Sequence, residues 1–283
     1  MIDGLFFIKT VFFSAIAGAV IHALGTYLGV AEKLMTKLTI FAVILVVYAS
    51  FAAHNFNRNK IVDQKLIVGI SADFPPFTFL DKGTLAGFEI ELVNELSRCL
   101  NRPVEFRNIP FGGLIPALQL NHLHVVAGGL TETPERAKHI LFTKPYLKNN
   151  PLVIISSKKQ PIHNLEELGS STVVVNEGYT ADLYLSEKPN LSILRLKTPA
   201  EAFLALRNGR AVAFVTAHDT LKPFFDTYGK LEFEAVEISG TNEATSLAIT
   251  THQPDLLNEI QICLDQLEKN GILAQLRTKW GLS

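Results

Sequence analysis

From Lys65 onward the apolar positions fall into two alternating patterns, short continuous runs and segments in which they recur every three or four residues. KLIVGIS (65–71) predicts a strand, and FEIELVNELSRCL (88–100) predicts a helix whose Phe88, Leu92, Val93, Leu96 and Leu100 share one face. VEFRNI predicts a second strand, GLIPALQL a second helix and HVVAGGL a third strand. Strand, helix, strand, helix, strand is the order of a parallel sheet and its crossovers. The pattern restarts after Pro151, with strands in LVIISS and TVVVNEG and helices in YTADLYLS and TPAEAFLALRNG. In the last of these, Thr198, Pro199 and Glu201 supply an N-cap, a first-turn proline and a capping-box acid, and Gly209 closes the helix. AVAFVT and SLAIT predict further strands, and residues 254–280 predict two helices broken at Asn270-Gly271. No internal sequence repeat accompanies these two α/β units, which predict two lobes with a cleft.

The first 53 residues are of another kind. Residues 11–31 (VFFSAIAGAVIHALGTYLGVA) carry no Asp, Glu, Lys or Arg and have the length of a membrane span. A shorter run, LTIFAVILVVYASFAA, follows Met35-Thr36-Lys37. Its order of positive start, apolar middle and small-x-small Ser50-Phe51-Ala52 is that of a secretory signal over residues 35–52. On this reading Met35 is the start and the first 34 residues are an upstream extension. The alternative keeps both runs as a membrane or signal anchor, and on either reading the remainder faces outward. HNFNRNKIVDQ (54–64) is polar and reads as a short tether.

A chain of 283 residues with 48% apolar content can fill real cores, which excludes disorder. The formal net charge of −1 and the lack of any dense Lys/Arg cluster argue against a nucleic-acid partner. Removing residues 1–53 takes away Lys9, Lys33 and Lys37 against Asp3 and Glu32 and leaves −2. Cys99 and Cys263 lie too far apart in sequence for a redox CxxC or a zinc-ligand spacing. Both sit in helical apolar patterns, so buried free thiols are the favoured expectation and a disulfide the alternative. His122 and His124 flank a turn with no further ligands placed beside them, so no metal is expected there. No cofactor motif is present.

The stretch with chemistry in it is GGLTETPER (128–136), at the carboxyl end of a predicted strand, where ligands bind in α/β sheets. Gly128 and Gly129 allow close approach of backbone N–H groups, Thr133 is an N-cap and Pro134 suits the first helical position. Arg136 adds a planar fork of donors matched to a carboxylate. A polyphosphate would call for GxxxxGK[ST], which is absent. Taken alone, TPER could equally be an ordinary helix cap with a solvated arginine.

The runs VGISADFPPFTFLDKGTLAGFEIELVNELS, PFGGLIPALQL and AGGLTETPERAKHILFTKPY, continuing to GILAQLRTKWG, together resemble the amino-acid-binding group of periplasmic solute-binding proteins, the receptors of ABC importers. The resemblance implies an α/β, two-lobed type II periplasmic-binding-protein fold with a cleft between lobes joined by two hinge strands. Lobe 1 would be residues 65–147 plus 247–283, and lobe 2 residues 148–246. It implies that Arg136, with Gly129 and Thr131, grips an α-carboxylate, and that Phe74 and Phe111 cover the ligand's aliphatic part. From lobe 2 it implies Asn176, Gly178, Tyr179 and Thr180, in the NEGYT loop, although Thr180 could be only an N-cap. The implied partners are a free amino acid and an ABC permease in the inner membrane, with a periplasmic, monomeric receptor and no catalysis.

Two departures from that family's pattern stand out. Ser71 occupies the place of a frequent aspartate, and Ala217 that of the acid which usually meets the ligand's ammonium. Asp219 reaching in is the favoured substitute, with Glu177 or a ligand lacking an ordinary ammonium as alternatives. Ser71 and Asn176 as pocket residues favour a neutral polar ligand such as glutamine, and Glu177 in the cleft would favour a basic one. Two other functions compete. A dehydratase-like enzyme would need His218, Asp73 or Glu132 as general acid or base, and a membrane-tethered sensor would keep the N-terminal runs.

Overall fold

The computed structural model describes residues 65–228 and 231–282, together with positions 19, 20, 23, 27, 34, 36–38 and 40–49 of the N-terminal region. Two compact units divide at Lys65. In the first, residues 40–49 are helical and Phe41, Ile44 and Leu45 are exposed. Among the described residues no helix is long and apolar enough to cross a membrane. The expected start at Met35, the cleavage site Ser50-Phe51-Ala52 and the tether at 54–64 lie outside the described residues.

The second unit runs β1 (Leu66–Ile70), β2 (Asp73–Phe74), β3 (Thr78–Asp81), β4 (Thr84–Ala86), α1 (Phe88–Leu100), β5 (Val104–Asn108), α2 (Phe111–Gln119), β6 (Val125–Val126), α3 (Pro134–Ala137) and β7 (Leu141–Phe142). It continues through β8 (Leu147–Asn150), β9 (Leu152–Ser157), β10 (Thr172–Asn176), α4 (Thr180–Ser186), β11 (Ser192–Leu196), α5 (Pro199–Arg207), β12 (Ala213–Ala217), α6 (Leu221–Tyr228) and β13 (Phe233–Glu237). It ends with β14 (Glu243–Thr245), β15 (Ala248–Ile249), α7 (Pro254–Lys269) and α8 (Ile272–Trp280).

Two five-stranded sheets result, in the orders β5-β1-β6-β15-β7 and β11-β10-β12-β9-β13. Each is buried on both faces, and strand alternation shows why. Leu66, Val68 and Ile70 pack with α1, α7 and α8, while Ile67 packs on the other side with Leu114 and Leu118 of α2. In the second sheet Ile154, Val173 and Val175 meet α4, while Ile155, Val174 and Phe214 meet Phe203 of α5 and Phe224 of α6. Strands covered on both faces read as continuous apolar runs, which is what the sequence displays. Between the sheets the chain crosses twice, in β8 and β14, which pair antiparallel. This is the two-lobed type II fold.

Two expectations need correction. HVVAGGL is a strand only over Val125–Val126, because Gly129 turns to φ +65 and leaves extended backbone. Cys99 and Cys263 are not free thiols but a disulfide between α1 and α7, with Cα atoms 5.9 Å apart. Both helices pack on one face of the first sheet, a proximity that sequence spacing does not reveal.

Candidate functional site

Arg136 lies at the seam of the lobes. Thr133 caps α3 by accepting from the Arg136 N–H at 3.2 Å, and Pro134 opens the helix, so a single turn fixes where the arginine departs. Its side chain is 8% exposed. Nη1 donates to the Thr131 carbonyl at 2.7 Å, and Nη2 crosses to the Gly178 carbonyl of the other lobe at 2.9 Å. The guanidinium carbon stands 5.9 Å from the Phe111 ring centroid. Burial pulls its pKa down and Glu243 pulls it back up. An arginine starts so far above neutrality that it stays charged.

The glycine loops on either side behave differently from expectation. The Gly129 N–H donates to Glu89 at 2.8 Å and the Gly178 N–H to Asp182 at 2.9 Å, so each is held by a carboxylate of its own lobe. At Gly129 a side chain is barred by φ +65 and by Phe74, whose ring would lie 2.5 Å from an added Cβ. Aromatic packing therefore demands this glycine. Gly128 does not line the cleft, and a Cβ there would make ordinary contact with Leu114.

Glu89 is fully buried at the start of α1 and also accepts from the Tyr146 hydroxyl. Burial raises its pKa from 4.5 to about 7, against those two hydrogen bonds. Between these values the unfolded chain gives up the proton while the folded one keeps it, so stability falls as pH climbs from 4.5 to about 7. Glu89→Gln can still accept from Gly129 and pair with Tyr146, without that slope. Between pH 4.5 and 8 its stability relative to wild type is expected to improve by up to about 3 kcal/mol in urea unfolding. A pH-independent difference would refute the reading.

The aromatic lining is closely packed. The Tyr179 ring meets Phe111 at 4.1 Å and the edge of Phe74 at 5.3 Å between centroids. With that ring in place the cleft has about 20 Å³ of free space, room for about one water.

Among the predicted residues, Phe74, Phe111, Gly129, Thr131, Arg136, Asn176, Tyr179 and Thr180 line one cleft. Ser71, Gly128, Gly178 and Asp219 do not. The Ser71 hydroxyl donates to Asp73 at 2.8 Å, and its carbonyl takes the Thr78 hydroxyl. Gly178 contributes only its carbonyl, to Arg136. Asp219 lines a separate groove with Lys222 and Trp280, and burial raises its pKa to about 6. Thr180 opens α4, with Tyr179 in the cap position. Of the acid–base candidates, His218, Asp73 and Glu132 are all absent from the lining, as is Glu177. His124 accepts from the Ile67 N–H at 3.2 Å, a structural task.

The acid that does line the cleft is Glu243, from β14, with Asn150 of β8 as its ladder partner. Glu243 accepts from the Thr131 hydroxyl at 3.5 Å, and the Thr180 hydroxyl of the other lobe acts on it as well. Burial raises its pKa, opposed by Thr180 and Arg136. Sequence reading assigns GTNEAT no element and Glu243 no role. The available signal was alternation, since Glu243 and Thr245 are both buried on a strand that precedes SLAIT.

The sequence model of the bacterial extracellular solute-binding proteins, family 3, matches residues 66–283. A probable ABC transporter arginine-binding protein, ArtJ of Chlamydia trachomatis, is 26% identical over 78% of this chain and 87% of its own length. The ABC transporter glutamine-binding protein GlnH of Bacillus subtilis is 26% identical over 87% of this chain and 95% of its own. Among solved structures, the ancestral amino acid-binding protein AncCDT-1, described as a precursor of cyclohexadienyl dehydratase, is 33% identical with a TM-score of 0.71, covering 78% of this chain and 98% of that one.

Proposed function

The chain belongs to the bacterial extracellular solute-binding proteins, family 3, and from that membership we infer that its cleft captures a free polar or basic amino acid outside the cytoplasm for an ABC importer. The observation that carries this reading is Arg136, a buried cation donating to one carbonyl from each lobe. A guanidinium has five N–H donors, and a carboxylate entering the cleft can take a pair of them. Arg136 fixes the ligand's α-carboxylate, Thr131 and Thr180 flank it, and Phe74, Phe111 and Tyr179 enclose the remainder as the lobes close. The Tyr179 ring has to shift for any ligand larger than water.

Lobe 1 is assigned to residues 65–147 and 247–283 and lobe 2 to residues 148–246, with the N-terminal region exporting or anchoring a monomeric, periplasmic receptor. The acid–base residues predicted for catalysis stand outside the cleft lining, which leaves Glu243 as its acid, and the reading as a binding protein rests on the transport relatives. The test is a thermal-shift panel of L-amino acids on the full chain. A ligand at a hundred times its dissociation constant is expected to add about 2.7 kcal/mol of stability. No shift from any polar or basic amino acid would refute capture, and consumption of the bound ligand would restore the enzyme reading.

A further inference from the structure

Three buried polar atoms of described residues in the cleft are left without partners: the Tyr179 hydroxyl, which can donate as well as accept, and two carbonyl-type oxygens. Among the described residues, Glu243 Oε1 and Asn176 Oδ1 have no hydrogen-bond partner, though both residues line the cleft and are at least nine-tenths buried. Asn176 spends its amide N–H on the Leu196 carbonyl at 3.4 Å, which leaves the oxygen as its free group. Thr131 meets the other oxygen of Glu243. Buried acceptors left unmade are costly, and a carboxylate more than an amide. An anionic or purely apolar guest would leave both atoms orphaned. A guest bearing several N–H donors and a positive charge satisfies both.

We propose that Glu243, assisted by Asn176 Oδ1, receives the ligand's α-ammonium, so that β14 supplies the acid missing at Ala217. The assignment rests on the amino-acid capture reading. Arg136 and Glu243 then present opposite charges to the two ends of one zwitterionic head. The arrangement also accounts for a carboxylate so deep in the fold. The charged groups acting on Glu243 are Arg136, which favours its ionised form, and Asp219, which disfavours it, while Thr131 hydrogen-bonds its other oxygen and the Thr180 hydroxyl also favours the ionised form. Asp219 itself faces the outer groove.

The test compares L-arginine and L-glutamine with their des-amino analogues, 5-guanidinopentanoate and glutaramate, by calorimetry on the full wild-type chain and on Glu243→Gln. Whichever amino acid binds wild type is expected to outbind its des-amino analogue by roughly 10- to 150-fold, the range for a charged hydrogen bond. Glu243→Gln should lose a similar factor for the amino acid and little for the analogue. A des-amino analogue that binds wild type as tightly as its parent overturns the assignment without any variant. So does a Glu243→Gln protein with native circular dichroism that keeps wild-type affinity and discrimination, in which case capture itself still stands. If neither amino acid nor any other in the panel binds wild type, capture and this assignment fall together.

Discussion

Arg136→Ala is expected to weaken amino-acid binding by at least about a hundredfold. Hydrogen bonds to charged groups contribute about 1.5–3 kcal/mol each, and a bidentate clamp makes two of them. The substitution also acts on Glu243. With the Thr180 and Thr131 hydroxyls, Arg136 opposes the burial-driven rise of the Glu243 pKa, so its removal pushes that carboxyl further towards the protonated form. The variant therefore loses the carboxylate clamp and weakens the ammonium acceptor together, and its effect should not add to that of Glu243→Gln. Stability should change less than binding, because the orphaned groups are the Thr131 and Gly178 carbonyls at a cleft that water reaches when the lobes open. Arg136→Lys keeps the charge beside Glu243 but not the planar fork, and an intermediate loss is expected. Calorimetric titration of the three proteins, with urea midpoints as the folding control, decides the matter. Wild-type affinity in the alanine variant would remove the clamp.

The contrast between Arg136 and Glu243 shows how far sequence reading reaches. Arg136 announces itself through local chemistry, since Thr133, Pro134 and the arginine form one turn whose geometry three residues determine. The same holds for α5, whose capping box forms as the Thr198 and Glu201 spacing demands. Glu243 has no local signature. Its burial arises from β14 crossing between lobes beside β8, a pairing of strands 93 positions apart at Glu243 and Asn150. Backbone donors were likewise misjudged. That glycines let N–H groups approach a ligand is sound, but Glu89 lies 40 positions from Gly129 and takes its N–H first. Helix periodicity cannot show this, because Glu89 sits beside the apolar face of α1 and is buried by a loop from elsewhere. Short-range rules thus recovered elements and caps, while competition between acceptors was decided by tertiary contacts.

Removing the Cys99–Cys263 bond is expected to produce the largest loss of stability of any change outside the cleft. The bond spans 164 positions, so the loop it closes contains the whole second sheet and both crossing strands. In the chain-entropy account, closing a loop of that length restricts the unfolded state by about 5 kcal/mol. Native strain and residual unfolded structure reduce such values, so a measured loss of about 3–5 kcal/mol is the expectation. It should appear equally in the Cys99→Ser, Cys263→Ser double variant and in wild type treated with reductant. Amino-acid affinity should hardly move, because α1 and α7 pack on the first sheet and neither cysteine lines the cleft. Such a bond persists only where the surroundings are oxidising, which agrees with a receptor working outside the cytoplasm. Urea midpoints of the oxidised, reduced and double-serine proteins provide the comparison. If all three coincide, the cross-link contributes nothing, and the packing of α1 against α7 and α8 alone holds the two ends of lobe 1 together.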